Sequence, residues 1–261
     1  NSKVDEDPQV QALIDSGTEY VCIVGKSSNL HITKAIQTDV KTAIEMAVDT
    51  IEHLSSKGKK VFFDAEHFFD GYKEDSKTSL EIMDAVMAAG VDCFIFCDTN
   101  GGTLPSEVTA ILTEILPRYE GQKFGVHFQN DNGCAVTNSM AAVNLGVNHI
   151  QGTMNGYGER TGNADLCTLV PNLSLKMGHE TINLESLKKL TPIANHIAEL
   201  VNITIDSRQP YVGSAAFTHK AGLHASGMAK DSTLYEHIDS SAVGNYTRTT
   251  VSELAGRASV I

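Results

Sequence analysis

No apolar stretch in the chain approaches the roughly 20 residues that a membrane-crossing helix needs, so no span is expected. Basic runs are missing as well. The 20 Lys and Arg residues face 32 Asp and Glu, the net charge is −12 and the pI is near 5.2. Nucleic acid is therefore not an expected partner, because phosphate binding needs clustered positive charge. Neither GxGxxG nor GxxxxGK[ST] occurs, which removes the usual nucleotide fingerprints. Cys22, Cys93, Cys97, Cys134 and Cys167 are odd in number, scattered and without a CxxC. They read as reduced thiols acting as small buried hydrophobes, not as a disulfide framework. The first residues contain no signal-peptide h-region and no initiator Met. The expectation is a cytoplasmic globular protein whose sequence begins inside a longer one.

What the chain does have is rhythm. Short apolar runs at Tyr20–Val24, Val61–Phe63, Cys93–Cys97, Phe124–Phe128 and His149–Met154 are rich in β-branched or aromatic residues, as buried parallel strands are. Between them lie segments of helical spacing, such as Val40, Ile44, Ala47, Val48, Ile51 and Leu54. Gly58, Gly90 and Gly146 follow three such segments, where a helix C-cap is wanted. Strand and helix in alternation predict a parallel α/β sheet. Glu185–Val201 reads as one amphipathic helix, and the stretch from Asp206 onward as irregular.

An open doubly wound sheet and a (β/α)8 barrel both satisfy this pattern. Polar groups follow strand after strand: Lys26-Ser27; Asp64, Glu66 and His67; Asp98-Thr99-Asn100; His127 and Gln129; Gln151, Thr153 and Asn155. A barrel builds its site from several successive strand ends, whereas an open sheet concentrates it at one switch point. The expectation is an α/β chain of TIM-barrel type, incomplete at five strands (about strands 4–8). Residues 1–179 are read as the partial barrel and residues 180–261 as a small, mainly helical linker subdomain.

The motifs are specific. FDAEHFFDGYK (Phe63–Lys73), CDTNGGTLP (Cys97–Pro105), GVHFQNDNG (Gly125–Gly133) and QGTMNGYGERTGN (Gln151–Asn163) are followed by SAAFTHKAGLHASG (Ser214–Gly227), LYEHIDSSAVG (Leu234–Gly244) and VSELAGR (Val251–Arg257). Over essentially the whole chain this resembles the family of 2-isopropylmalate, homocitrate and citramalate synthases. The FDAEHFFDGY and DTNGGTLP wording is most similar to the citramalate branch. The resemblance implies an acyltransferase that condenses acetyl-CoA with a 2-oxo acid, pyruvate in that branch. It also implies a divalent metal ion (zinc, manganese or magnesium) and a homodimer.

The same resemblance suggests site residues. His127 matches the first histidine of an HxH metal pair, whose i, i+2 spacing puts both side chains on one face of a strand. Gln129 stands where the second histidine is expected, and an amide oxygen is the weaker donor for zinc or manganese. The family's early Asp motif is not in this chain. Asn163 matches an amide near the metal. Glu66 matches a carboxylate that orders acetyl-CoA and water or takes part in proton transfer. Asp98 and Thr99 match a pair whose hydroxyl holds the 2-oxo acid carboxylate, and Arg160 balances carboxylates there. His224 and Tyr235 match a pair that assists deprotonation or thioester hydrolysis, commonly in the other subunit's barrel. Glu236 and Asp239 read as solvated charges. Two rival readings accompany this one: a non-catalytic paralogue, raised by Gln129, and a retro-aldol lyase on the same barrel. This chain alone is expected to be inactive and to bind metal poorly.

Overall fold

Each of the five apolar runs forms a strand in the computed structural model, which describes residues 3–220 and 222–250. They are β1 (Tyr20–Lys26), β2 (Lys60–Glu66), β3 (Cys93–Asp98), β4 (Phe124–Phe128) and β5 (His149–Gln151). All neighbours pair parallel, in the spatial order β1-β2-β3-β4-β5. Sequential order is the decisive feature. A doubly wound sheet reverses direction at a switch point, whereas this one is wound one way throughout, as an arc of a barrel is. The VSELAGR motif lies outside the described residues.

The chain divides into two compact units, Asn1–Gly152 with Gly158–Ala164 and Thr153–Tyr157 with Asp165–Ile261. In the first, helices α1 (Pro8–Asp15), α2 (Asn29–Lys34), α3 (Val40–Ser56), α4 (Phe68–Ala88), α5 (Pro105–Ile115) and α6 (Ala135–Asn144) alternate with the strands. Gly58, Gly90 and Gly146 end helical segments at φ values of 80°, 85° and 102°, the left-handed conformation in which a side chain is costly. Asp75 breaks α4 (φ −150°, ψ 84°), and its carboxylate accepts from the Thr78 hydroxyl at 2.6 Å, capping the second half.

Strand alternation sorts the side chains. Phe63, Ala65, Phe94, Phe96, Val126 and Phe128 are buried in the main core, where Phe68 and Phe69 of α4 meet them. Fully burying one such ring stabilises the fold by roughly 1.5–3 kcal/mol. The opposite face carries the other register: Cys22 pairs Phe62, Phe62 pairs Cys93, Ile95 pairs Gly125 and His127 pairs Gln151. On this inner face Tyr20 and Val24 of β1 are 44% and 64% exposed.

The second unit has its own core, in which Cys167 of α7 (Leu166–Pro171) joins Leu187, Leu190, Ala194, Tyr211, Phe217 and Val243. The single helix expected over Glu185–Val201 is two helices, α8 (Leu184–Leu187) and α9 (Leu190–Val201). Pro192 explains the interruption: it has no N–H to donate and its ring crowds the carbonyl four residues earlier. That carbonyl, of Lys188, also closes against Gly244, where a Cβ would lie 2.0 Å away. A short parallel pair, β6 (Thr218–His219) with β7 (Arg248–Thr249), and helix α10 (Gly222–Met228) complete the unit.

Candidate active site

Lys26, Glu66, Thr99, His127 and Gln129 lie at or just past the C-terminal ends of β1 to β4. Lys26 and Glu66 occupy paired positions of β1 and β2, on the inner face, and their side chains form a direct ion pair. The Ser27 hydroxyl donates to the Glu66 carbonyl at 2.8 Å. Glu66 is thus held at both its main chain and its carboxylate. His67 follows in a left-handed conformation (φ 62°) and donates its N–H to the Thr99 hydroxyl oxygen at 2.8 Å. The Thr99 hydroxyl proton is left for another acceptor.

The His67 ring stacks on His31 with centroids 3.5 Å apart. Its Nδ1 is buried with no hydrogen-bond partner among the described residues, and its Nε2 lies 3.9 Å from a Glu66 oxygen. Burial, then the adjacent His31, pushes its pKa down to about 4, against the opposing pull of Glu66. The ring is neutral beside Glu66 at neutral pH. Gly71 fixes this turn from below: a Cβ there would sit 2.6 Å from the Ser27 carbonyl oxygen.

Asp98 does not share the inner face. It registers with Phe128, on the helix-facing side, and is 1% exposed. Its carboxylate accepts from the Thr103 hydroxyl at 2.9 Å and the Thr103 N–H at 3.0 Å. Burial raises its pKa although both Thr103 bonds pull it down. Asp98 staples the turn that carries Thr99. Arg160, at φ 53°, grips Asp131 with Nε and Nη2 at 2.7 and 2.9 Å and donates to the Thr99 carbonyl at 2.8 Å. It pairs with a carboxylate and pins the same turn.

His127 is bonded at both ring nitrogens, with Nδ1 2.7 Å from Gln151 Oε1 and Nε2 2.8 Å from Asn163 Oδ1. Gln129 faces Asn163 across an isolated bridge, and its Oε1 is buried with no hydrogen-bond partner among the described residues. The structure thus gathers His127, Gln129 and Asn163. Among the described residues no group of three His, Cys, Asp or Glu could hold a metal ion. The donors here are one imidazole and two amide oxygens.

In the second unit His224 and Tyr235 come together, their rings stacked at 4.2 Å. Gly227 makes room for the tyrosine, since a Cβ there would lie 2.4 Å from its ring. Glu236 is not the solvated charge expected. Its side chain is 5% exposed, paired with His219 at 3.1 Å and bonded by the Thr247 hydroxyl at 2.7 Å. Asp239 caps a turn by accepting from Ser241 N–H at 2.9 Å. Sequence reasoning gave no role to Lys26, Asp64, Gln151 or His219; each was visible only as a polar residue near a strand, without its partner.

Residues 5–194 match the HMGL-like family, and residues 211–261 match the homocitrate synthase post-HMGL domain-like family. An (R)-citramalate synthase of Aquifex aeolicus is 47% identical over 100% of this chain and 49% of its own length. One from Streptomyces coelicolor is 46% identical over 98% of the chain and 48% of its own length. A homocitrate synthase of Sulfolobus acidocaldarius is 30% identical, over 98% and 53% respectively. The HMG-CoA lyase of Bacillus subtilis superposes with a TM-score of 0.68 at 20% identity, covering 76% of this chain and 69% of that one. That last likeness concerns the fold alone. The chain spans about half the length of the curated relatives it matches.

Proposed function

This chain belongs to the HMGL-like family, and from that membership we propose that it is part of an (R)-citramalate synthase, an acyltransferase joining acetyl-CoA to pyruvate. One observation carries the choice of substrate: 47% identity to a citramalate synthase along the whole chain, against 30% to a homocitrate synthase. The activity is assigned to the full-length enzyme, of which residues 1–179 supply barrel and residues 180–261 supply linker. The five cysteines are free thiols, which suits work in the reducing cytoplasm. Among the described residues no helix is long and apolar enough to cross a membrane.

The donors at the end of β4 are neutral, one imidazole and two amides, and without a carboxylate they are a weak set for a divalent cation. Gln129 Oε1 is buried with no hydrogen-bond partner among the described residues, and His127 Nε2 is hydrogen-bonded to Asn163 Oδ1 at 2.8 Å. In the full-length enzyme His127, Asn163 and Gln129 would be this chain's contribution to holding the ion, which would supply Lewis-acid polarisation of a 2-oxo acid carbonyl. The Thr99 hydroxyl donates to the substrate carboxylate. Glu66, restrained by Lys26 and Ser27, orders acetyl-CoA and water at the end of β2. His224 with Tyr235 takes the methyl proton of acetyl-CoA or assists hydrolysis. The methyl carbon then bonds to the 2-oxo carbon, whose oxygen gains a proton, and water cleaves the thioester to release CoA.

A substrate panel on the full-length enzyme, read by release of the CoA thiol, tests the assignment. Pyruvate should be preferred. Preference for 2-oxoisovalerate or 2-oxoglutarate would replace it with 2-isopropylmalate or homocitrate synthesis. The presence of Gln129 in place of a histidine favours a second reading, a non-catalytic paralogue; condensation by the unmodified enzyme excludes it.

A further inference from the structure

A buried acid–imidazole pair backs the stacked rings of His224 and Tyr235. His219, the last residue of β6, places Nε2 3.1 Å from Glu236 Oε1, and the two side chains are 9% and 5% exposed. The Thr247 hydroxyl donates to the same oxygen at 2.7 Å and lies 3.2 Å from the Ser240 hydroxyl. A carboxylate only accepts, so His219 carries a proton on Nε2 whatever the charge of its ring. The pair meets the stack from two sides. Glu236 is the main-chain neighbour of Tyr235, and the His219 ring lies T-shaped to His224 with centroids 6.3 Å apart. Burying such a pair does little for stability by itself, since well-packed apolar residues of similar volume commonly serve as well or better. The second unit has apolar residues at hand, with Tyr211, Phe217 and Val243 in its core. What an apolar side chain does not supply is direction. Two hydrogen bonds converging on Oε1 fix the Glu236 side chain, and with it the main chain at Tyr235. The stack itself is exposed at both His224 and Tyr235, so it gains little restraint from surrounding packing.

We propose that His219 and Glu236 are positioning residues that hold the Tyr235 ring against His224, and so set the geometry in which those two rings meet acetyl-CoA. This rests on the assignment of His224 and Tyr235 to acetyl-CoA and deepens it. Two further observations support it. Gly227 lies one turn along α10 from His224, and a Cβ there would be 2.4 Å from Tyr235 Cε2, so the tyrosine ring is seated on that helix face. The Glu236 N–H donates to the Ser232 carbonyl at 3.0 Å, which closes the turn that delivers Tyr235. The ring is thus bounded by α10 on one side and tied through the next residue to a buried anchor. Misplacing a reacting group by about 1 Å costs on the order of 100-fold in rate.

The full-length enzyme, labelled with 13C at histidine, gives two readouts. Ring-current shifts report the stack: the His224 ring protons, assigned with His224→Gln, should lie upfield, and Tyr235→Leu should abolish that shift. Glu236→Met, which removes the acceptor at similar volume, should abolish it as well. Glu236→Gln, whose amide oxygen still accepts from His219 and Thr247, should keep it. In condensation assays read by release of the CoA thiol, Glu236→Met should lower kcat about 10- to 100-fold with the KM for pyruvate unchanged, and Glu236→Gln should recover most of the loss. A wild-type ring shift or a wild-type kcat in Glu236→Met overturns the proposal. So does a Glu236→Gln enzyme no better than Glu236→Met, because charge and not anchoring would then be at work. Circular dichroism checks the fold; if Glu236→Met does not fold, His219→Phe removes the donor while keeping a ring beside His224, and the same outcomes decide. An unmodified enzyme that does not condense overturns the function proposed above, while the ring shifts still decide the positioning.

Discussion

Acid should weaken this fold through His67 specifically. The side chain is 9% exposed and stacked on His31, and its Nδ1 is buried with no hydrogen-bond partner among the described residues. Its pKa is pushed from 6.5 down to about 4 by burial first and His31 second. The folded state therefore resists a proton that the unfolded chain accepts. Above pH 6.5 both states hold neutral imidazole and the contribution to stability is complete. As pH falls from 6.5 toward 4 the unfolded state gains protons and stability drops. At 1.36 kcal/mol per unit, the loss between pH 7.5 and pH 4.5 is about 2.5 kcal/mol. His67→Asn is the useful comparison, because asparagine tolerates the left-handed backbone found here at φ 62°. Urea unfolding followed by circular dichroism at the two pH values gives the difference. His149 and His237, also lowered by burial, and acid-sensitive capping carboxylates such as Asp39 are common to both proteins and cancel. Wild type should lose about 2.5 kcal/mol more than the variant. Equal losses would refute the claim that His67 is held neutral.

Gln129→His restores a second imidazole at i, i+2 from His127, and isothermal titration should show Mn2+ binding at least about 10-fold tighter; unchanged affinity would remove residue 129 from the ligand set. Gly71→Ala places a Cβ 2.6 Å from the Ser27 carbonyl and 2.8 Å from Ser28 Cα, both backbone atoms. Overpacking of that kind costs about 1–3 kcal/mol, so the melting temperature should fall by several degrees, and an unaltered one would show the turn can yield. The chain should also associate, because Tyr20 and Val24 leave apolar surface open on the inner face, where burial yields roughly 25 cal/mol per Å². Light scattering at micromolar concentration should give at least a dimer, and a monodisperse 28.1 kDa monomer would refute it.

What could be read from the chain was what repeats locally. Five apolar runs and three glycine-terminated helical segments each declare themselves within a dozen residues, and all five strands are where they were expected. The polar residues at strand ends declare only that they are polar. Whether such a side chain faces the site or the helices depends on its parity within a strand whose last residue is uncertain by one, and a slip of one reverses the answer. Asp98 shows the consequence: it lies in a motif of site residues, yet its register with Phe128 sends it to the helix side, where it meets Thr103. Glu236 shows another. Nothing in LYEHID signals a buried carboxylate until His219 and Thr247 are placed on either side of it. Partnership is the non-local property, and the file of hydrogen bonds from Asp64 through Gln151 to His127 is its clearest case here. Its members are 87 and 24 residues apart in sequence, on three different strands, and only a sheet curved enough to bring β5 within reach of β2 makes them one unit. Glutamine at position 129 was legible from the start as a departure from the HxH pattern. Its meaning was not, because the residue it faces, Asn163, comes from elsewhere in the chain and is placed beside it only by the fold.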